Sequence, residues 1–221
     1  MYIDIHKHSA ESPSNTLVLR NLFPEQMNEI VTGKYYSIGL HPWYSNIKNF
    51  FSILNTLREY ALKKEVIAIG ETGLDQKVDI PYIKQIGAFE SQVEIAEKHK
   101  LPVIVHCVRA YNDLIRFRKK ADQSLPWIIH WFNASKQIAD ELLSMNCYLS
   151  YGCMLFNETS KAFHLFKQLP VEKIFFETDD TEYSIEKVYN KAAELKNITV
   201  SELQNKIILN FKNCFQIKPE V

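Results

Sequence analysis

The chain has 221 residues, 46% hydrophobic and 24% charged, enough for one large domain with a sizeable core. Lysine plus arginine (26) equals aspartate plus glutamate (26), so no net field draws the chain to nucleic acid or a membrane surface, although a local basic patch stays open to phosphate. The four cysteines (Cys107, Cys147, Cys153, Cys214) form no C-x-x-C pair and no finger-like spacing with histidine, so reduced, mostly buried thiols are expected.

Met1 runs directly into Tyr2-Ile3-Asp4-Ile5, with no basic start, apolar core or cleavage site, and no apolar stretch reaches the ~20 residues of a membrane span. A cytoplasmic protein with no membrane contact and no obligate protein partner is expected. Short apolar runs at 2–6, 16–22, 35–40, 65–70, 102–107, 127–132, 147–152 and 173–178 predict strands. Between them, amphipathic spacing predicts helices over 49–63, 84–100, 109–122, 135–145, 159–168 and 184–196. Over 84–100, Ile86, Phe89, Val93 and Ala96 share one face, with Lys84, Gln85, Glu94 and Lys98 elsewhere. A last helix covers 200–213, capped by Thr199 or Ser201, with Glu202 in its first turn. Strands alternating with helices imply a parallel sheet, and eight of them suggest an α/β fold of the (β/α)8 TIM-like barrel type, with residues 1–221 as a single domain. Between His8 and Thr16 there is no room for a crossover helix, so a distortion is expected near the second strand.

Polar residues stand just past the ends of five of these runs: His6 and His8, Glu71, His106, His130 and Asp179. Metal ligands in a parallel barrel come from different strand ends and meet only in space. His6 and His8, two apart in a strand, point to one face and can reach one ion. Glu71 follows Val66-Ile-Ala-Ile-Gly70; a carboxylate at the mouth of an apolar strand is costly unless paired or metal-bound. Gly70 and Gly73 beside it allow close backbone approach. His106 and His130 each interrupt an aliphatic run, and Asp179, with Asp180 as an ambiguous neighbour, closes the set.

These residues carry a resemblance to a known family. Ile3-Asp-Ile-His-Lys-His8, Ile38-Gly-Leu-His-Pro42, Ile67-Ala-Ile-Gly-Glu-Thr-Gly-Leu-Asp75 and Leu101-Pro-Val-Ile-Val-His106 match it in order, followed by Ile129-His-Trp-Phe-Asn133, Phe176-Glu-Thr-Asp179 and Asn210-Phe-Lys-Asn-Cys-Phe215. The chain resembles the TatD-related deoxyribonucleases of the metal-dependent hydrolase superfamily. The resemblance implies two divalent metal ions, with magnesium or manganese in use and zinc possible: His6, His8 and Asp179 on one, His106 and His130 on the second, Glu71 between them. It implies phosphodiester cleavage of DNA by an activated water, with Asp179 and Glu71 catalytic and Asp179 as general base. His41, in the His-Pro motif, is expected to be positioning or structural rather than a ligand, and His41, Arg109 and Trp131 are the substrate-binding candidates.

The departures concern substrate. Ser9-Ala10 replaces an expected aspartate, Val108 an expected arginine with Arg109 one place later, and Ala134 an expected glycine. Asp180-Thr-Glu-Tyr183 leads straight into a helix where a proline and an arginine-asparagine-x-proline loop belong. Hydrolysis of a small amide, ester or lactone on the same fold is therefore an alternative, and a non-catalytic metal-binding protein a second. Lys7, Arg109, Arg116, Arg118, Lys119 and Lys120 could contact phosphates, the last four being expected on a solvated helix face. Trp43, Tyr44, Trp131 and Phe156 could stack on bases, against core or rim packing as the plainer role.

Overall fold

The computed structural model describes residues 1–11 and 13–219. Each of the eight apolar runs carries a strand: β1 (Tyr2–Lys7), β2 (Thr16–Leu22), β3 (Tyr35–Ile38), β4 (Val66–Asp75), β5 (Val103–Val108), β6 (Trp127–Ile129), β7 (Cys147–Tyr151) and β8 (Ile174–Phe176). They follow one another in the sheet in sequence order, and the pairings seen are parallel. The helices are α1 (Phe50–Tyr60), α2 (Tyr82–His99), α3 (Tyr111–Lys120), α4 (Lys136–Ser144), α5 (Lys161–Phe166), α6 (Ile185–Lys196) and α7 (Val200–Phe215). Two compact units emerge, residues 1–20 with 130–221, and residues 21–129.

In the first unit, β1 pairs with β2 from Tyr2 opposite Thr16 to Asp4 opposite Val18, and the register then slips before Lys7 meets Arg20. The slip falls beside the short connection 8–15, which has no helix among its described residues, so the expected distortion is real. The Tyr189 hydroxyl on α6 pins the strand, accepting from the Ile3 N–H and donating to the Ile3 carbonyl, both at 3.1 Å. Helix α7 starts with a capping box in which Thr199 and Glu202 satisfy each other's backbone donors. Its Asn210 donates to the carbonyls of Val171 (2.7 Å) and Ile174 (2.8 Å), tying the helix to the entrance of β8.

In the second unit, β3, β4, β5 and β6 carry the core, and β4 is buried along its whole length. The inward face of α2 is Gln85, Ala88, Phe89, Gln92, Ile95 and Ala96. Gln85 thus corrects the sequence expectation, which put it outside. Two glutamines can line this face because their carboxamides complete backbone hydrogen bonds. Gln92 accepts from the Leu40 N–H (2.7 Å) and donates to the Leu40 carbonyl (3.1 Å), and Gln85 does the same at Asp75 (2.8 and 3.0 Å). Arg118 is a second correction: it is wholly buried, not solvated. Its guanidinium donates to the carbonyls of Asp122 (3.1 Å) and Leu125 (2.9 Å) and lies over the Trp127 ring, so it closes the turn after α3. Cys107, Cys147 and Cys214 are buried free thiols, and Cys153 is partly exposed.

Candidate metal centre

In the first unit, four of the sequence-derived residues converge. His6 and His8 both direct Nε2 at one atom, Asp179 Oδ1, at 3.6 and 3.4 Å. The i, i+2 geometry therefore holds despite the register slip. His130 brings its Nε2 to 3.9 Å from Asp179 Oδ2, with its ring 4.1 Å from that of His6. Donor atoms of His6, His130 and Asp179 lie within 4.8 Å of one another, as do those of His8, Asp179 and Asp180. Asp179 adopts φ 50°, a left-handed conformation unusual outside glycine, and its N–H donates to the His6 carbonyl at 2.9 Å. That bond returns the chain leaving β8 to β1 and holds the carboxylate over the imidazoles.

Two carboxylates missed at the sequence level support this cluster. Glu177 is fully buried, accepting from His130 Nδ1 (2.9 Å), the Ser150 hydroxyl (2.7 Å) and the Trp131 N–H (2.7 Å). Burial pushes its pKa up, but the His130 imidazole and these hydrogen bonds outweigh it and hold the carboxyl below its ordinary range. An ionised Glu177 can only accept, so the His130 proton sits on Nδ1 and Nε2 keeps a lone pair for a cation. Asp4, also buried, takes the Thr178 N–H (3.0 Å) and hydroxyl (2.6 Å), and burial lifts its pKa to about 7. The available signals were period and proximity: Asp4 alternates with His6 along β1, and Glu177 stands two residues before Asp179.

The second unit holds the remaining residues. Glu71 lies inside β4, not past a strand end, and His6 and His106 are likewise within β1 and β5. The strand runs on because two glycines let it pass its neighbours closely. A Cβ on Gly70 (φ +139°) would stand 2.3 Å from the Ile104 carbonyl oxygen, and one on Gly73 (φ +152°) 1.9 Å from that of His106. Glu71 is 4% exposed, and its N–H donates to Asn21 Oδ1 at 2.6 Å. Its Oε1 lies 2.8 Å from His106 Nδ1 and 3.4 Å from His41 Nε2, and these three residues place donor atoms within 4.8 Å of one another. On the far side of the His106 ring, Nε2 is 3.4 Å from Asp75 Oδ2. Burial raises the Asp75 pKa, yet hydrogen bonds from Trp43 and Lys77 and the His106 imidazole outweigh it and leave the carboxyl below its usual range.

Arg109 is exposed with φ 56°, and Trp131 is half-buried with φ 48°. Arg116 is paired with Asp113, and Phe156 stacks on Tyr183 at 4.6 Å between ring centroids. Trp43 and Tyr44 are each about half exposed. Ser184 caps α6, so residues 180–183 form a short exposed turn of little reach. Imidazole nitrogens and carboxylate oxygens with buried supporting carboxylates are a donor set that suits a divalent cation, which is the fit a metal site requires.

Residues 25–216 match the family model described as TatD related DNase. The chain is 30% identical over 200 residues to the uncharacterized metal-dependent hydrolase YabD of Bacillus subtilis (strain 168), across 83% of this chain and 78% of that protein. The crystal structure of YjjV, a TatD homologue from Escherichia coli K12, aligns with a TM-score of 0.84 at 21% identity over 98% of both chains. That of a TatD family hydrolase from Entamoeba histolytica gives 0.77 at 16% identity over 97% of both. These two likenesses show the fold, which is TIM-barrel-like. Among the described residues no helix is long and apolar enough to cross a membrane. With a family model spanning most of its length and imidazole–carboxylate clusters at the motifs that carry the likeness, the chain belongs to the TatD-related DNase family and is a metal-dependent hydrolase.

Proposed function

We propose that the chain, working as one hydrolase domain, cleaves phosphodiester bonds of DNA. The observation that carries the reading is the convergence of His6, His8 and His130 on the Asp179 carboxylate, beside the family match. The resemblance pairs His130 with His106, but His130 directs Nε2 at Asp179, so His6, His8, His130 and Asp179 would hold one divalent ion and Glu71 and His106 a second, with magnesium or manganese in use and zinc also accepted by imidazole. Such ions supply charge neutralisation at phosphate oxygens and acidify a water. The protein's own groups do the rest. Asp179, the proposed general base, is held by its N–H bond to His6 and accepts the proton released as water attacks phosphorus. Glu177 keeps His130 in the tautomer that donates nothing toward Asp179. Glu71 is the second catalytic carboxylate, and exposed Arg109 is proposed to meet a phosphate, with His41 and Trp131 orienting the substrate.

One observation favours a second reading. The turn 180–183 replaces the loop that the family resemblance leads one to expect for gripping DNA, so a small amide, ester or lactone substrate is the alternative. Metal analysis of the purified protein with assays on single-stranded DNA and generic phosphodiesters separates the two. Bound metal with untouched phosphodiesters removes the nuclease reading and directs the search to amides and lactones. Bound metal without any hydrolysis leaves a binding protein.

A further inference from the structure

Trp43 occupies an unusual position: its indole is about half exposed, yet both of its N–H groups are committed to the cluster around Glu71. The backbone N–H donates to His41 Nδ1 at 3.3 Å, and the indole Nε1–H donates to Asp75 Oδ2 at 2.8 Å. Neither donor has an alternative role, because a backbone amide and an indole can only donate. The first bond makes Nδ1 of His41 an acceptor, so the His41 proton is on Nε2, facing Glu71 Oε1 at 3.4 Å. His41 is thereby a donor to Glu71, without a lone pair directed at it.

His106 stands between two carboxylates, Glu71 Oε1 at Nδ1 (2.8 Å) and Asp75 Oδ2 at Nε2 (3.4 Å). A neutral imidazole that binds a cation through one nitrogen keeps its proton on the other, and that proton needs an acceptor. The two sides are unequal. Glu71 Oε1 is where the His41 and His106 nitrogens converge. Asp75 is instead immobilised: Lys77 N–H donates to its Oδ1 at 2.8 Å, the indole donates to its Oδ2, and Gln85 clamps its backbone N–H and carbonyl. A carboxylate fixed in this way is built to accept a proton in a constant direction.

We infer that Trp43 and Asp75 are positioning residues that set the tautomers of this cluster: Asp75 takes the His106 Nε2 proton, so His106 offers Nδ1 to a cation, while His41 serves as donor to Glu71. The inference rests on the proposed ion binding at Glu71 and His106 and adds which atoms take part. It also explains why an exposed tryptophan sits here. Its ring meets the His41 ring edge-on, with 4.9 Å between centroids, so one side chain steadies both imidazole arms.

The test is a long-range proton–nitrogen NMR spectrum of the protein labelled with 15N-histidine, recorded with and without zinc, with His106 assigned by comparison with His106→Gln. Zinc should move the Nδ1 resonance of His106 and leave its proton on Nε2. Trp43→Phe keeps the backbone N–H and loses only the indole donor, at a half-exposed position where folding is little challenged. Asp75→Asn leaves an amide that must set its NH2 either against the Lys77 N–H at the Oδ1 position or against both the indole and His106 at the Oδ2 position, and its single neutral oxygen is a weaker acceptor than the carboxylate in either case. Both should weaken zinc binding, Asp75→Asn by about 10–100-fold. Zinc bound through Nε2, or an unchanged zinc affinity in both variants, overturns this inference alone. A spectrum in which zinc leaves both His106 nitrogens unmoved overturns the ion assignment at this cluster, and this inference with it.

Discussion

Replacing Glu177 by glutamine tests the support of the first cluster with the smallest change of shape. The native carboxylate satisfies three donors with two oxygens: the Trp131 N–H on Oε1, and His130 Nδ1 and the Ser150 hydroxyl on Oε2. A carboxamide has one oxygen. With that oxygen at the Oε2 position, the NH2 opposes the Trp131 N–H, leaving two buried donors face to face. With the amide reversed, the NH2 meets His130 Nδ1 and forces its proton to Nε2, the nitrogen directed toward Asp179. Either arrangement leaves at least one buried donor unpaired, a cost of about 1–3 kcal/mol. The reversed one also removes a cation ligand, and loss of such a supporting carboxylate typically weakens metal affinity by about 10–100-fold. Urea denaturation of chelator-treated protein reads the first effect, and calorimetric titration with zinc or manganese reads the second. If Glu177→Gln unfolds at the wild-type urea concentration and binds metal as wild type does, the assignment of the His130 proton to Nδ1 is wrong.

Asp4 gives a pH prediction. Burial lifts its pKa from an ordinary 3.8 to about 7, so between those values the folded state holds a proton that the unfolded chain has released, and stability falls as pH rises. Asn mimics the neutral acid toward Thr178, so Asp4→Asn should flatten that slope in metal-free protein relative to wild type; parallel curves between pH 4.5 and 7.5 would refute it. Gly73→Ala sets a methyl against the His106 carbonyl at a positive φ and should lose about 3 kcal/mol or more in denaturant unfolding. Arg118→Ala opens the turn after α3 and should cost about 2–4 kcal/mol while leaving the metal affinity of the folded fraction intact. Thr199→Ala removes half of a capping box and should lower stability by about 1 kcal/mol, with unchanged hydrolysis.

Much of the fold was legible because strand and helix have different apolar periods. All eight strand runs and the capping of α7 by Thr199 follow from that and from local side-chain chemistry. The errors share a physical cause: polar groups that are buried because a distant backbone satisfies them. Gln85 and Arg118 look like surface residues by type, and only their carbonyl and amide partners make them interior. In the site, His6, His8, His130 and Asp179 were found from their places at apolar runs, and they converge. Asp4, Glu177 and Asp75 were not singled out, since a supporting carboxylate is recognised by the hydrogen bonds it receives, which span up to 174 positions of sequence between Asp4 and Thr178. Glu71 was read as ending a strand because the apolar run stops at Gly70, whereas the close backbone approach that Gly70 and Gly73 allow lets the strand run on through it.

The most direct test of the account is hydrolysis of single-stranded DNA by the manganese-loaded protein, measured alongside the metal content of wild type, Asp179→Asn and Glu71→Gln. Wild type should cleave, a chelator should abolish cleavage, and Asp179→Asn should slow it by about 100-fold or more, the usual contribution of a general base. Metal content should fall in one or both variants. A loaded wild type that leaves DNA intact, or variants that keep both their metal and their rate, would contradict the assignment.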